Sequence, residues 1–301
     1  GADSSYALHL ECKYGLKIVA VHVDNGWNSS IAVRNIFKLV NSLKVEYKSY
    51  VLPWKKYVKV QKAFLKASVP EADTPTDLAV YKGELVIANR LNLKDIICGG
   101  NMSSEGILPV HWHYNARDQK YAKSILKKFD VKFSDYSSMN VSFFEEVFFR
   151  IVKNIKIHDP LNYINYVKLD AEKELNNLYG WKKYKSKHGE TRFTRFLQTY
   201  YIYNKHGIDY RRAMLSCEVC LKRINRDNAI KILSEKPYSE NEIEKEIYYI
   251  AKKLNLSYKE LKSIILMPAK WYTDFKNQEK ILGKIYDVYR FIKNDEKASN
   301  F

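Results

Sequence analysis

Leu16-Lys17-Ile18-Val19-Ala20-Val21-His22-Val23, followed by Asp24-Asn25-Gly26-Trp27-Asn28-Ser29, is the stretch that decides the fold of this chain. The first eight residues form a short, β-branched, apolar run, as expected of a strand buried in a parallel sheet. Turn-forming residues close it, and an amphipathic helix is expected over about 30–43. Toward the N-terminus, Gly1-Ala2-Asp3-Ser4-Ser5 leads into a helix over 6–14, which Gly15 caps. Toward the C-terminus, strands near 45–52 and 95–98 alternate with helices near 54–67 and 77–91. A Pro-bounded loop, 69–76, separates the two helices, and Gly99-Gly100 closes the last strand.

This rhythm predicts an α/β fold with a parallel sheet covered by helices on both faces. Ligands of such sheets lie at the carboxyl ends of the strands. Beyond about residue 136 the pattern changes. A dense apolar and basic helix is expected over 141–157, with further helical segments near 168–178, 193–205, 226–234, 239–254, 257–266 and 276–293. No strand pair is expected there. The division is therefore an α/β domain at 1–135 and a helical region for substrate or partner binding at 136–301. A helix that opens at residue 4 without a preceding strand is unusual in an α/β domain. One strand and part of a loop are expected ahead of Gly1, which leaves a signal peptide undecided.

The 301 residues are 46% hydrophobic and 14% aromatic, enough for a large core, which excludes disorder and small stapled scaffolds. Four Cys do not make a disulfide framework and fit a reducing compartment. No apolar run reaches about 18 residues, so no membrane span is expected. Lys+Arg exceed Asp+Glu by 51 to 34, a net +17. The basic residues are mostly Lys spread along the chain, which reads first as a solvated surface and only second as a nucleic-acid footprint.

Gly1-x-Asp3-Ser4-Ser5 at a helix start has a use of its own. Backbone N–H groups and the positive end of the helix dipole suit a phosphate, and small hydroxyl residues add donors without crowding. The same residues also serve as an ordinary N-cap. In its setting, this segment resembles the second half of the S-G-G-x-D-S loop of the ATP pyrophosphatase (PP-loop) superfamily. Val21-His22-Val23-Asp24-Asn25-Gly26-Trp27-Asn28-Ser29 resembles, within it, the N-acetyl sugar amidotransferases of surface-polysaccharide and nonulosonic-acid pathways. So do Ala67-Ser68-Val69-Pro70, Pro75-Thr76-Asp77 and Gly99-Gly100-Asn101-Met102-Ser103-Ser104-Glu105-Gly106-Ile107-Leu108-Pro109. The likeness continues through Pro160-Leu161-Asn162-Tyr163, Gly180-Trp181, Lys187-His188-x-Glu190-Thr191-x-Phe193-Thr194-Arg195-Phe196-x-Gln198 and Gly207-Ile208-Asp209. It departs in two places: the family's N-terminal segment with its Cys pairs is absent, and Cys217-Glu-Val-Cys220 is unusual.

The resemblance implies a Rossmann-like PP-loop fold, of the adenine nucleotide alpha hydrolase type, in a cytoplasmic enzyme. It implies conversion of a sugar acetamido group to an acetamidino group, using ATP with Mg²⁺, as in lipopolysaccharide O-antigen, capsule or flagellin-glycan synthesis. Gly1, Ser4 and Ser5 would hold the pyrophosphate portion of ATP. Asp24, Asn25 and Gly26 would lie at the adenosine, and Gly99, Gly100 and Asn101 at the next strand end, with Glu105 a candidate for metal or substrate hydroxyls. Asp3 is a candidate helix cap or metal-side group. Lys187, His188, Glu190 and Arg195 are the substrate-side or phosphate-side candidates, His188 by its suitability for proton transfer.

A glutaminase would require its own Cys nucleophile and domain, so the expected ammonia source is a separate glutaminase subunit. The expected partners are that subunit and an N-acetylated sugar, with neither nucleic acid nor a membrane span. The alternative is a PP-loop tRNA-thiolating enzyme that uses Cys217 and Cys220. His111-Trp112-His113 lacks an evident third ligand, so no residue set is assigned to a protein-held metal. Arg211 and Arg212 read as a solvated turn, and the Phe143–Phe149 aromatics as core or interface.

Overall fold

The computed structural model describes residues 1–184 and 189–284. α1 (Ala2–Lys13) leads through Gly15, at φ +77°, into β1 (Val19–Asp24). α2 (Ser30–Leu43), β2 (Glu46–Val51), α3 (Trp54–Lys66), α4 (Thr74–Arg90) and β3 (Asp95–Ile97) follow in the expected alternation. The amphipathic reading of α2 holds: Ser29 caps it by accepting from the Ala32 amide, and Ala32, Asn35, Leu39 and Val40 are its buried side. α4 begins earlier than position 77, because Pro75 fits a first helical turn.

β1 and β2 pair in parallel from Val19↔Glu46 to Asp24↔Val51. β3 pairs in parallel with β4 (Lys156–His158), from Asp95↔Lys156 to Ile97↔His158. The chain is thus α/β with short parallel sheets and a helical C-terminal part. β4 corrects the expectation of a helix over 141–157 and of no strand there. The helix is α8 (Phe143–Val147), extended by a π-helical turn at Phe148–Val152, after which Asn154 takes a left-handed φ of +53°. That turn frees 156–158 to join β3, so the second sheet joins residues on both sides of position 135.

α4 packs across β1, β2 and β3. The approach is close because Gly83 lacks a side chain: a Cβ there would lie 2.7 Å from Val23 and 2.8 Å from Tyr50. A helix-interior Gly costs about 1 kcal/mol against Ala, which this contact explains. Between β3 and β4 come α5 (Met102–Glu105), α6 (Gln119–Lys128), α7 (Phe133–Ser137) and then α8. After β4 come α9 (Lys168–Tyr179), α10 (Arg192–Phe196), α11 (Ile202–His206), α12 (Arg211–Cys220), α13 (Arg226–Ser234), α14 (Glu240–Lys253) and α15 (Tyr258–Leu266). A π-helical turn at Leu197–Tyr201 joins α10 to α11. The main core runs through both halves: Val23, Trp27, Tyr57 and Phe64 are buried with Phe193, Phe196, Tyr201 and Ile247. Among the described residues no helix is long and apolar enough to cross a membrane.

Candidate functional site

The first turn of α1 is where the strand ends converge. Gly1 is the N-cap and supplies no side-chain bond, so the first amides of α1 are not capped by a side chain. Ser4 and Ser5 belong to the same turn, the Ser5 amide donating to the Gly1 carbonyl at 3.2 Å. Gly99, just beyond β3, presses on this turn: a Cβ there would lie 2.3 Å from the Ser4 amide nitrogen. Glu190 arrives from the helical region, its Oε1 3.2 Å from where a Gly1 Cβ would stand. His22, near the end of β1, is hydrogen-bonded through Nε2 with the Asn28 side-chain amide at 2.9 Å. Burial holds its imidazole below the ordinary value, with Asp24 opposing. The structure therefore brings together Gly1, Ser4, Gly99, Glu190 and the end of β1.

Asp3 is engaged by side chains of other elements. Its carboxylate accepts from the Tyr166 hydroxyl at 2.6 Å, Lys168 Nζ at 3.0 Å and Ser104 Oγ at 3.2 Å. Burial opposes the charge, but Lys168 and the Tyr166 hydroxyl outweigh it and hold the carboxyl below its usual value. Asp3 lies at the second helical position, inside α1 rather than at its cap, and ties α1 to α5 and α9.

The loop after β1 is organised by its own polar groups. Asp24 accepts from the Gly26 amide at 2.8 Å, and buried Asn25 accepts from the Trp27 amide at 3.0 Å. Gly26 has φ +74°, and a Cβ on it would meet the Trp54 ring at 2.7 Å. This turn drives Trp27 fully inside, stacked on Phe193 at 4.9 Å, with Nε1 donating to Gln61 at 2.8 Å. Asn25 and Gly26 thus spend their distinctive features on the turn, and Asp24 is the carboxylate left at the strand end.

The loop after β3 is held from β4. Asn101 caps α5, accepting from the Ser104 amide at 2.9 Å, and its amide donates to the Gly99 carbonyl. Asn162 accepts from the Met102 amide at 2.9 Å, which gives the Pro160-Leu161-Asn162-Tyr163 segment its place in the structure. Asp159 lies against Gly100, where a Cβ would come within 2.7 Å of its Oδ1. Behind this loop, Glu84 of α4 takes a weak hydrogen bond from the Cys98 thiol at 3.9 Å. Burial, with Asp159 adding to it, pushes Glu84 up to about 7. Burial and Glu84 together push the Cys98 thiol up to about 12. Cys98 is a protonated thiol at neutral pH. Glu84 and Asp159 were missed in the sequence, because one sits in mid-helix and the other follows an unrecognised strand. Glu105, at the end of α5, is exposed.

The helical region grips the β1 loop directly. The Ser29 amide donates to the Glu190 carbonyl at 2.8 Å, and the Arg192 amide to the Trp27 carbonyl at 2.9 Å. Arg192 forms a two-point pair with buried Glu246, at 3.0 and 2.6 Å. Arg195 joins the same carboxylate at 3.2 Å. Arg195 is therefore engaged between α10 and α14. Lys187 and His188 lie outside the described residues.

Cys217, half-buried, and Cys220, exposed, lie three residues apart on α12. Arg211 is no solvated turn residue: it makes a bidentate pair with Asp209 and caps the carbonyls of Ile232 and Glu235. The Phe143–Phe149 aromatics are divided, Phe149 buried and Phe143 and Phe144 exposed. No group of three His, Cys, Asp or Glu suited to a metal ion occurs among the described residues.

These arrangements define the class only at the level of the fold: an α/β protein with short parallel sheets and a helical C-terminal part. Residues 190–293 match the family described as LPS biosynthesis protein WbpG-like, C-terminal domain. The match begins at Glu190, where the helical region meets the cleft. The C-terminal third of the chain is thus similar to a domain of lipopolysaccharide biosynthesis proteins. No curated protein matches the chain.

Proposed function

We propose that the protein is an ATP-dependent amidotransferase with a PP-loop fold, acting on an N-acetylated sugar in lipopolysaccharide or related glycan synthesis. The observation that carries this reading is the meeting of the α1 N-terminus with the carboxyl end of β3 and with Glu190, whose backbone is bonded to the loop after β1. The open amides of α1 with Ser4 and Ser5 suit a pyrophosphate group. The Gly99–Ser4 contact leaves no side chain between strand end and helix start, so a phosphate can approach the backbone. The described residues hold no group of three His, Cys, Asp or Glu for an ion of their own, so Mg²⁺ would enter on the ATP phosphates and neutralise them there.

ATP is a co-substrate in this reading. The acetamido oxygen attacks the α-phosphorus, and pyrophosphate leaves. Ammonia then adds to the activated carbon, AMP departs with the former amide oxygen, and loss of a proton leaves the amidine. No protein nucleophile is needed; the chain contributes alignment and charge stabilisation. Asp3 holds α1 in register with α5 and α9, and Arg192 and Arg195 hold Glu190 and its neighbours against the β1 loop. Ammonia comes from a separate glutaminase subunit. The test is steady-state pyrophosphate release: sustained turnover should require ammonium and an acetamido sugar together, and sustained release with ammonium but no acetamido sugar would refute the reading.

A further inference from the structure

Away from the cleft, α6 and the segment that follows α15 form a shallow groove of about 440 Å³, whose walls carry Lys120, Lys123, Lys127, Lys128 and Lys276 around Ser124. Lys120, Lys123 and Lys127 recur at helical spacing and so share one side of α6, over about 10 Å. Among the described residues none of these ammonium groups forms a salt bridge. The carboxylates nearby are used elsewhere: buried Asp118 accepts from the amides of Lys120, Tyr121 and Gln278, Asp274 from the Trp271 amide, and Glu279 from the Tyr272 hydroxyl. Lys123 lies over the Phe133 ring at 4.5 Å and Lys128 over Phe275 at 5.3 Å. The ring faces help to hold the cations in place.

The second observation is a like-charge contact. Lys270 stands near enough to lower the Lys128 ammonium from its ordinary value, with Asp274 opposing. Two ammonium groups so placed repel one another, and an anion between them turns the repulsion into attraction. The residues are all Lys, compact point charges that bind phosphate without fixing its plane.

We propose that this groove binds a small ligand carrying two or more phosphate groups, through Lys120, Lys123, Lys127 and Lys128. The proposal does not depend on the reaction assigned to the cleft. Free pyrophosphate, a nucleoside diphosphate and a lipid-linked diphosphate share this chemistry.

Lysine footprinting tests it. The intact protein is acetylated with and without pyrophosphate at constant ionic strength, and each peptide is quantified by mass spectrometry. Pyrophosphate at saturation should slow labelling of Lys123, Lys127 and Lys128 by about fivefold or more, leaving exposed Lys17 unchanged. Replacing Lys127 with Glu should abolish protection of Lys123 and Lys128, while Lys168 beside the cleft reports any separate binding there. Stronger protection by a nucleoside diphosphate than by pyrophosphate would support the proposal and identify a nucleotide source; equal protection would support it through the phosphates alone. Uniform slowing of all lysines, or protection only by anionic vesicles or only by an RNA oligonucleotide, would overturn it.

Discussion

Gly99 touches the amide of Ser4 so closely that even a methyl group has no room, and the first turn of α1 depends on that contact. Gly99→Ala should cost about 1–3 kcal/mol through overpacking. It should also remove AMP formation, because the β3 loop can be relieved only by moving away from the phosphate-binding turn. Gly283→Ala, where a Cβ meets nothing within 4 Å, is the control and should melt like the parent protein. Glu84 gives a second prediction at this scale. Its carboxyl is pushed by burial from 4.5 to about 7, so the folded state holds its proton more tightly than the unfolded chain does. Stability attributable to this group is present below about pH 4.5 and is lost as pH rises through about 7. Glu84→Gln should therefore match the parent near pH 5 and exceed it at pH 8 by about 2 kcal/mol. Urea unfolding at the two pH values checks this. A constant difference between them would contradict it.

At the scale of elements, the segment 190–196 matters because it is fastened at both ends, to the β1 loop by backbone bonds and to α14 through Glu246. Glu246→Ala leaves Arg192 and Arg195 without their shared carboxylate, in a position only partly open to water. The expected cost is about 1–3 kcal/mol, with a higher KM for ATP than the parent, since the β1 loop loses its backing. Urea unfolding and steady-state kinetics measure the two effects. An unchanged KM would detach this clamp from the nucleotide site.

These elements also show what the sequence could convey. α2 was legible because its cap, its apolar side and its end are all local. So were β1 and the turn after it, where Asp24, Asn25 and Gly26 have the chemistry a tight turn demands. β4 was not, because Lys156-Ile157-His158 continues the apolar and basic pattern of α8, and only the pairing with β3 makes it a strand. The same holds within the site. A carboxylate in a Gly-Ala-Asp-Ser-Ser start reads as a cap, yet Asp3 is drawn inward by Lys168 and Tyr166, more than 160 residues away in sequence. Arg195 reads as a candidate for phosphate, and its partner Glu246 is on a helix that sequence spacing cannot place. Glu84 and Asp159 lacked any local signal.

Across the whole molecule, the excess of 17 positive charges is unevenly used. The cleft presents carboxylates at its strand ends around a helix N-terminus, whereas unneutralised lysines gather at α6. The two halves of the chain meet at the cleft rather than at a linker, with Trp27 packed on Phe193 in one continuous core. Residues 190–293 carry the likeness to a domain of lipopolysaccharide biosynthesis proteins, and its first residue, Glu190, lies beside the start of α1. The most direct test is product analysis of the purified protein supplied with ATP, Mg²⁺, ammonium and an acetamido sugar. AMP, pyrophosphate and an amidine should form in equal amounts, and glutamine should not replace ammonium. Formation of ADP and phosphate, or turnover that ignores the acetamido group, would contradict the account.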